Sequence, residues 1–274
     1  MARWWWSAGG WSANSPDVRL TGHRILVTGG AGGIGLALAR AFHAAGGNRI
    51  LVCGRDPAKL ARAAAELPGL ATIQADVTRA EDRERIASAL EAELGGLSLL
   101  VNNAGVQAGQ DYARGTVEEA PLRAEIETDL VAPMLLTARL MPLLRAAGGG
   151  AAVLNVSSGL ALIPKPGAPG YCAAKAGLRA FTLALRAQLA PLGIRVFEVL
   201  PGQVRTESTW GTMPGEAFAE AVLRAMARDR FEILPGKMAP LAALNRVSPA
   251  LAAAVVRRMA RRSARLRAAS AGHG

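Results

Sequence analysis

From Arg24 onward, short apolar runs alternate with longer segments whose apolar positions recur at helical spacing. The runs at 24–28, 49–53, 71–75, 97–101, 151–156, 194–200 and 231–234 predict strands. The segments between them predict helices: one from the glycine-rich stretch after residue 28 to about 45, one from 56 to about 67, and others over about 81–93, 118–146, 170–190 and 215–228. Local chemistry marks several ends. Asp56 is a cap and Pro57 suits the first helical position, while Pro68-Gly69 stops that helix and Pro191 with Gly193 stops a later one. Strand and helix alternate, which predicts βαβ units, hence an α/β fold with a doubly wound parallel sheet between two helical layers. No internal repeat or long linker interrupts the pattern, so the expected organisation is one domain over 20–240, a disordered leader over 1–19 and a basic helix or tail over 241–274.

Composition narrows the function classes. Half of the 274 residues are hydrophobic and only 4% aromatic, which favours helices on a sheet of small and branched residues. The net charge of +11 raises nucleic acid as a partner, but arginine carries nearly all of it. The only lysines are Lys59, Lys165, Lys175 and Lys237. The basicity therefore reads as compositional, and no nucleic-acid partner is expected. Its densest local cluster is the tail, Arg257, Arg258, Arg261, Arg262, Arg265 and Arg267, where Leu251, Val255, Met259 and Leu266 interleave. The expected state of that tail is a terminal helix fraying into solvent, with membrane contact as the alternative. Cys53 and Cys172 lie far apart, giving neither metal spacing nor a disulfide framework, so no metal is expected and the location expected is a reducing cytoplasm. No run of ~20 apolar residues predicts a transmembrane helix. The start carries Trp4, Trp5, Trp6 and Trp11 without the apolar core of a signal peptide. A disordered leader is expected there, and an interfacial anchor is the alternative.

Three motifs carry chemistry. Thr28-Gly29-Gly30-Ala31-Gly32-Gly33-Ile34-Gly35 follows a predicted strand and opens a helix. Glycines there let the backbone approach a pyrophosphate, which the helix N-terminus attracts through its free N–H groups and dipole; this is the Rossmann fold's dinucleotide site. At the end of the second strand, Gly54 stands where an acid would bind the adenosine ribose, and Arg55 follows. A guanidinium there favours NADP(H) and leaves NAD(H) open. Tyr171 and Lys175 lie one helical turn apart, so phenol and ammonium are neighbours, and a nearby cation lowers a phenol pKa. Ser157 and Ser158 end the fifth strand at the sheet edge where ligands bind in such folds.

Together these stretches resemble the classical short-chain dehydrogenase/reductase (SDR) family over about residues 20–234. The pattern is Thr28-Gly29 with Gly33-Ile34-Gly35, then Asn102-Asn103-Ala104-Gly105, then Ser158 thirteen residues before Tyr171, then Tyr171 with Lys175, then Pro201-Gly202 with Val204 and Thr206. A finer resemblance, to a DltE-like subgroup, rests on Leu20-Thr21-Gly22, Cys53-Gly54-Arg55-Asp56, Asn103-Ala104-Gly105-Val106-Gln107 and Met213-Pro214.

The resemblance implies an NAD(P)-dependent oxidoreductase that moves a hydride between a nicotinamide and a small carbonyl or alcohol. It makes Ser158, Tyr171 and Lys175 catalytic: Tyr171 as acid/base, Ser158 on the reacting oxygen, Lys175 on the nicotinamide ribose and beside the phenol. It implies cofactor contacts at Gly29, Gly33, Ile34, Gly35, Arg55, Asp76, Val77, Asn102, Ala104, Tyr171, Lys175, Val204 and Thr206. It also implies a homodimer or homotetramer paired through the helices at 118–146 and 170–190. One position departs: Asp129, in Asp129-Leu130-Val131-Ala132-Pro133, stands where the family carries Asn. Its charge would help keep Lys175 protonated. It also supports the alternative, a catalytically weak nucleotide-binding sensor or scaffold on the same fold. The loop after Thr206 is short, with Trp210 and Met213 its large apolar residues before Phe218, and predicts an open or modest pocket.

Overall fold

The computed structural model describes residues 18–207 and 211–259. The Trp cluster at the start, Trp210 and the arginines from Arg261 onward lie outside the described residues. Seven strands form one parallel sheet in the order β3-β2-β1-β4-β5-β6-β9. They are β1 Arg24–Thr28, β2 Arg49–Gly54, β3 Ala71–Gln74, β4 Leu99–Asn102, β5 Ala152–Val156, β6 Arg195–Val199 and β9 Glu232–Ile233. All seven match expected runs, trimmed or shifted by a residue or two. The order reverses between β1 and β4, and in doubly wound sheets ligands bind outside the carboxyl ends at such a point.

Successive residues of each strand feed opposite layers, because side chains alternate across a sheet. Ile25 and Val27 of β1 join one core with Leu38 and Phe42 of α1 (Gly33–Ala44), Leu60 of α2 (Pro57–Glu66) and Phe218 and Val222 of α7 (Gly215–Ala227). Leu26 joins the other with Ile86 of α3 (Ala80–Ala89), Leu136 and Leu140 of α5 (Ala132–Ala146) and Leu185 of α6 (Pro169–Leu189). Helix α2 starts as its sequence dictates: the Asp56 carboxylate accepts from the amides of Ala58 and Lys59 at 2.9 and 3.1 Å, and Pro57 follows it.

The helix expected over 118–146 is not uniform. It comprises α4 (Glu119–Ile126), one π-helical turn (Glu127–Val131) and α5. The helix expected over 81–93 likewise ends in a π-helical turn, Leu90–Leu94. Periodicity sees helix in both cases, but a wider turn inside it leaves no composition signal. Two short strands were not expected at all: β7 (Val204–Arg205) and β8 (Met213–Pro214) pair in parallel to form a small ribbon.

Both expected junctions of the domain shift. Val18, placed in the leader, is 6% exposed in the core, and its amide donates to the Ala227 carbonyl. Past residue 240, helix α8 (Met238–Val247) continues and a further helical stretch runs over 249–259, burying Ala242 and Ala252. Among the described residues no helix is long and apolar enough to cross a membrane.

Candidate active site

The turn after β1 forms a cradle only glycines can line. A Cβ on Gly35 would lie 2.3 Å from the Gly29 carbonyl oxygen, and one on Gly30 would lie 2.6 Å from a Val52 methyl. Gly29 and Gly33 hold φ of 63° and 57°, in the left-handed region. A Cβ on Gly32 would meet nothing within 4 Å, so the cradle opens there. Helix α1 begins at that opening with no side-chain cap and no acid in its first turn. Its first N–H groups therefore face an anion-sized opening, which fits a pyrophosphate. Thr206 borders the same opening: its Oγ1 is 3.9 Å from where a Gly33 Cβ would be.

The loop after β4 is stitched to β1. The Thr28 hydroxyl accepts from the amides of Asn103 and Ala104 at 2.9 and 3.0 Å, and the Asn103 side chain donates to the Thr28 carbonyl at 2.9 Å. Asn102, expected at the cofactor, is 3% exposed and turned inward. Its amide donates to Asn155 at 2.8 Å and to Thr137 at 3.1 Å. Its side chain thus braces β4 against β5 and α5, while Asn103 and Ala104 are the members of the motif that border the glycine turn. Arg55 is exposed at the end of β2. Asp76 accepts from the amide and hydroxyl of Thr78 at 3.0 and 2.7 Å, and Val77 beside it is buried.

Across the switch point, Ser158, Tyr171 and Lys175 converge. Ser158 leaves the end of β5 at 7% exposure, its hydroxyl accepts from the Leu160 amide at 3.1 Å, and it lies near enough to Tyr171 to act on the phenol. The Lys175 ammonium lies 5.7 Å from the Tyr171 ring centre and donates to the Val156 carbonyl at 3.2 Å. Burial and the Asp129 charge push the Tyr171 phenol above its ordinary range, against a smaller lowering from Ser158. The expected lowering by Lys175 is not seen in the protein alone, where burial dominates. Burial also lowers Lys175, and Asp129 opposes that, as its charge implied.

Asp129 sits in the π-helical turn, fully buried, with Oδ1 3.6 Å from the Lys175 ammonium and accepting from the Val106 amide at 3.0 Å. Burial raises its carboxyl to about 6. Gly105 passes so close that a Cβ there would lie 2.6 Å from Asp129 Oδ1. A second buried carboxylate, which sequence reasoning missed, lies one turn earlier. Glu125 accepts from the Ala108 amide at 2.8 Å and from the Gln110 side chain at 2.6 Å, and Gln110 accepts from the Gly170 amide at 2.8 Å. This clamp holds the start of α6 immediately before Tyr171. Nothing in the sequence separates Glu125 from the neighbouring Glu119 and Glu127; the only signal is its spacing of four from Asp129.

A phosphate cradle facing a buried Ser-Tyr-Lys group across a parallel sheet defines a nicotinamide-dependent oxidoreductase. Comparison with known proteins agrees. The family model described as short chain dehydrogenase matches residues 23–217, and the chain belongs to that family. A Bacillus subtilis (strain 168) protein named uncharacterized oxidoreductase DltE is 40% identical over 189 residues, covering 69% of this chain and 74% of that protein. A Bos taurus L-fucose dehydrogenase is 34% identical, covering 69% and 68%. Among solved structures, a Pseudomonas aeruginosa RhlG/NADP active-site complex aligns with a TM-score of 0.69 at 24% identity, covering 77% of this chain and 92% of that one, and shares the fold.

Proposed function

We propose that the protein moves a hydride reversibly between NADP(H), in preference to NAD(H), and a small carbonyl or alcohol, with Tyr171 as the acid/base. The observation that carries this reading is the meeting of Ser158, Tyr171 and Lys175 where the carboxyl end of β5 faces the first turns of α6. The bound cofactor supplies or accepts the hydride. The chain supplies the proton and the positions. In reduction the Tyr171 hydroxyl gives its proton to the substrate oxygen as that oxygen gains negative charge; in oxidation the phenolate takes it back. A phenol held protonated by burial suits the donating role. Ser158 donates to the same oxygen and spreads its charge. Lys175 stays cationic beside Asp129, binds ribose hydroxyls and favours the phenolate when it forms.

The glycine cradle would hold the pyrophosphate on the N–H groups of α1. Val204 and Thr206 would hold the nicotinamide carboxamide, and Arg55 would meet the 2′-phosphate. Homo-oligomerisation through α5 and α6 is part of this reading, and Met134 and Leu135 stand 39% and 43% exposed on α5. Sedimentation at micromolar concentration tests it, and a monomer would contradict it.

Tyr171→Phe tests the chemistry. It removes one oxygen, keeps the ring, and should slow hydride transfer by about 10²–10⁴-fold while nucleotide binding survives. Lys175→Ala should weaken both nucleotide binding and turnover. A Tyr171→Phe variant running at the wild-type rate would overturn the mechanism. The alternative of a nucleotide sensor rests on Asp129, whose buried charge sits against the reacting pair. A wild-type chain that binds NADPH and turns over no carbonyl in a broad panel would favour it.

A further inference from the structure

Next to the Ser158 end of the site lies a cavity of about 330 Å³ between the β7–β8 ribbon, α8 and the helical stretch over 249–259. Its wall is mainly apolar, formed by Val204, Met213, Met238, Leu241, Leu244 and Val255, with three polar side chains interrupting it. One residue of its wall, Met238, stands between it and the Ser158 end of the site. Met238 is 6% exposed and lies across two glycines. A Cβ on Gly159, the residue after Ser158, would come 2.4 Å from its terminal methyl, and a Cβ on Gly202 would come 3.2 Å from its Cγ. Glycine at both positions is what lets the methionine lie between Ser158 and the cavity. Val204, expected at the nicotinamide, forms part of the same wall.

Such a space rejects a strongly polar substrate, because polar groups buried without partners cost free energy, and rewards an apolar one. We propose that this cavity seats an apolar arm of the substrate, so that the enzyme acts on carbonyls or alcohols bearing an alkyl or isoprenoid chain of up to about twelve carbons, the number that fills the volume at interior packing density. The inference rests on the oxidoreductase reading above and assigns its substrate class. Met238 is the flexible divider, since an unbranched thioether adapts its shape to what lies beside it.

The test uses the full chain with saturating NADP⁺ or NADPH. Straight-chain aldehydes and 2-ketones of increasing length should show kcat/KM rising about threefold to fourfold per added methylene until the cavity is full, then levelling. Leu244→Trp fills the space and should flatten that rise; Leu244→Ala enlarges it and should move the plateau to longer chains. Melting curves identify a variant that has failed to fold, and the alanine variant then carries the comparison. Calorimetric titration of 1-decanol against 1-butanol reads the cavity without turnover. Decanol should bind at least about tenfold tighter, and Leu244→Trp should abolish the difference.

If decanol binding follows this pattern while no carbonyl is reduced, the cavity inference stands and the reaction assigned above fails. Chain length without effect on binding or turnover overturns the inference, as does a length dependence that both variants leave intact. It is also overturned if decanol binds only after residues 260–274 are deleted, since the cavity would then belong to the chain's own end.

Discussion

The two sides of the switch point are built from different materials. Beside β1 and β4 the surface offered to a ligand is backbone, a turn of left-handed glycines at the start of α1, with the side chains of Asn103 and Thr28 stitching it to the next loop from behind. Beside β5 and α6 it is side chains, with Asp129 and Lys175 paired out of water and Glu125 holding a loop and the start of α6. A third buried carboxylate, Glu198, is raised to about 7 by burial despite its contact with Arg179. The difference teaches how each side fails. The first is damaged by atoms added to it, the second by atoms removed, because an unpaired polar group in a dry interior costs more than the pair gained.

The largest effect should follow removal on the second side. Glu125→Ala leaves the Ala108 amide and the Gln110 side chain without their acceptor, at about 1–3 kcal/mol each, so urea denaturation should show a loss of roughly 2–6 kcal/mol. A loss under about 1 kcal/mol would mean that water replaces the clamp and would break the comparison. Addition on the first side comes next. Gly35→Ala drives a methyl into a backbone carbonyl, and about 3 kcal/mol of stability should go with it, the upper end for overpacking. NADPH titration should show binding lost as well.

Arg55→Ala sharpens the comparison, since Arg55 is a side chain on the backbone-built side. It should cost NADPH about 1.5–3 kcal/mol of affinity and leave NADH nearly unchanged, as read by fluorescence titration of both. Equal wild-type affinities for the two nucleotides would remove Arg55 from the site.

The smallest effects read on pH. Burial raises Asp129 from 3.8 to about 6 and Glu198 from 4.5 to about 7. The folded protein therefore holds these protons more tightly than the unfolded chain, so their contribution is full below about pH 4 and is lost as pH rises through about 6 and about 7. Wild-type Tm minus that of Asp129→Asn should fall between pH 4 and 6, and wild type minus Glu198→Gln between about 4.5 and 7. Flat differences would show that neither carboxyl is desolvated in solution. Asp129→Asn should also turn over as fast as wild type or faster, and its oxidation profile should extend to lower pH, because the charge that raises Tyr171 is gone.

What could be read in advance divides along the same line. The glycine turn, the Asp56 cap and the alternation of strand and helix follow from local backbone needs, which leave marks on residue type. Ser158, Tyr171 and Lys175 were legible because their spacing matches a known pattern. Glu125 and Gln110 were not, since their meaning depends on what faces them across fifteen residues of loop and helix. The bracing role of the Asn102 side chain was hidden for the same reason: an amide looks the same in sequence whether it faces a ligand or braces a core. The β7–β8 ribbon was missed because elements of two residues carry no periodicity, and α8 was cut short because it runs from the last residues assigned to the domain into a stretch that looked like a tail.

The π-helical turn at Glu127–Val131 sets how this segment can change in length. An α-helix advances about 100° per residue, and the wider turn absorbs its extra residue without changing the phase of the helix on either side. Deleting one residue of this turn other than Asp129 would let the backbone settle into an uninterrupted α-helix and leave Glu125 and Leu122 on Gly170 and Leu136 and Leu140 in the core. The same deletion inside α5 would rotate one part of the helix against the other by about 100° and carry the core residues beyond it out of place. Tolerance to deletion along this helix is therefore a map of phase, and its gentlest interior point lies beside the buried aspartate.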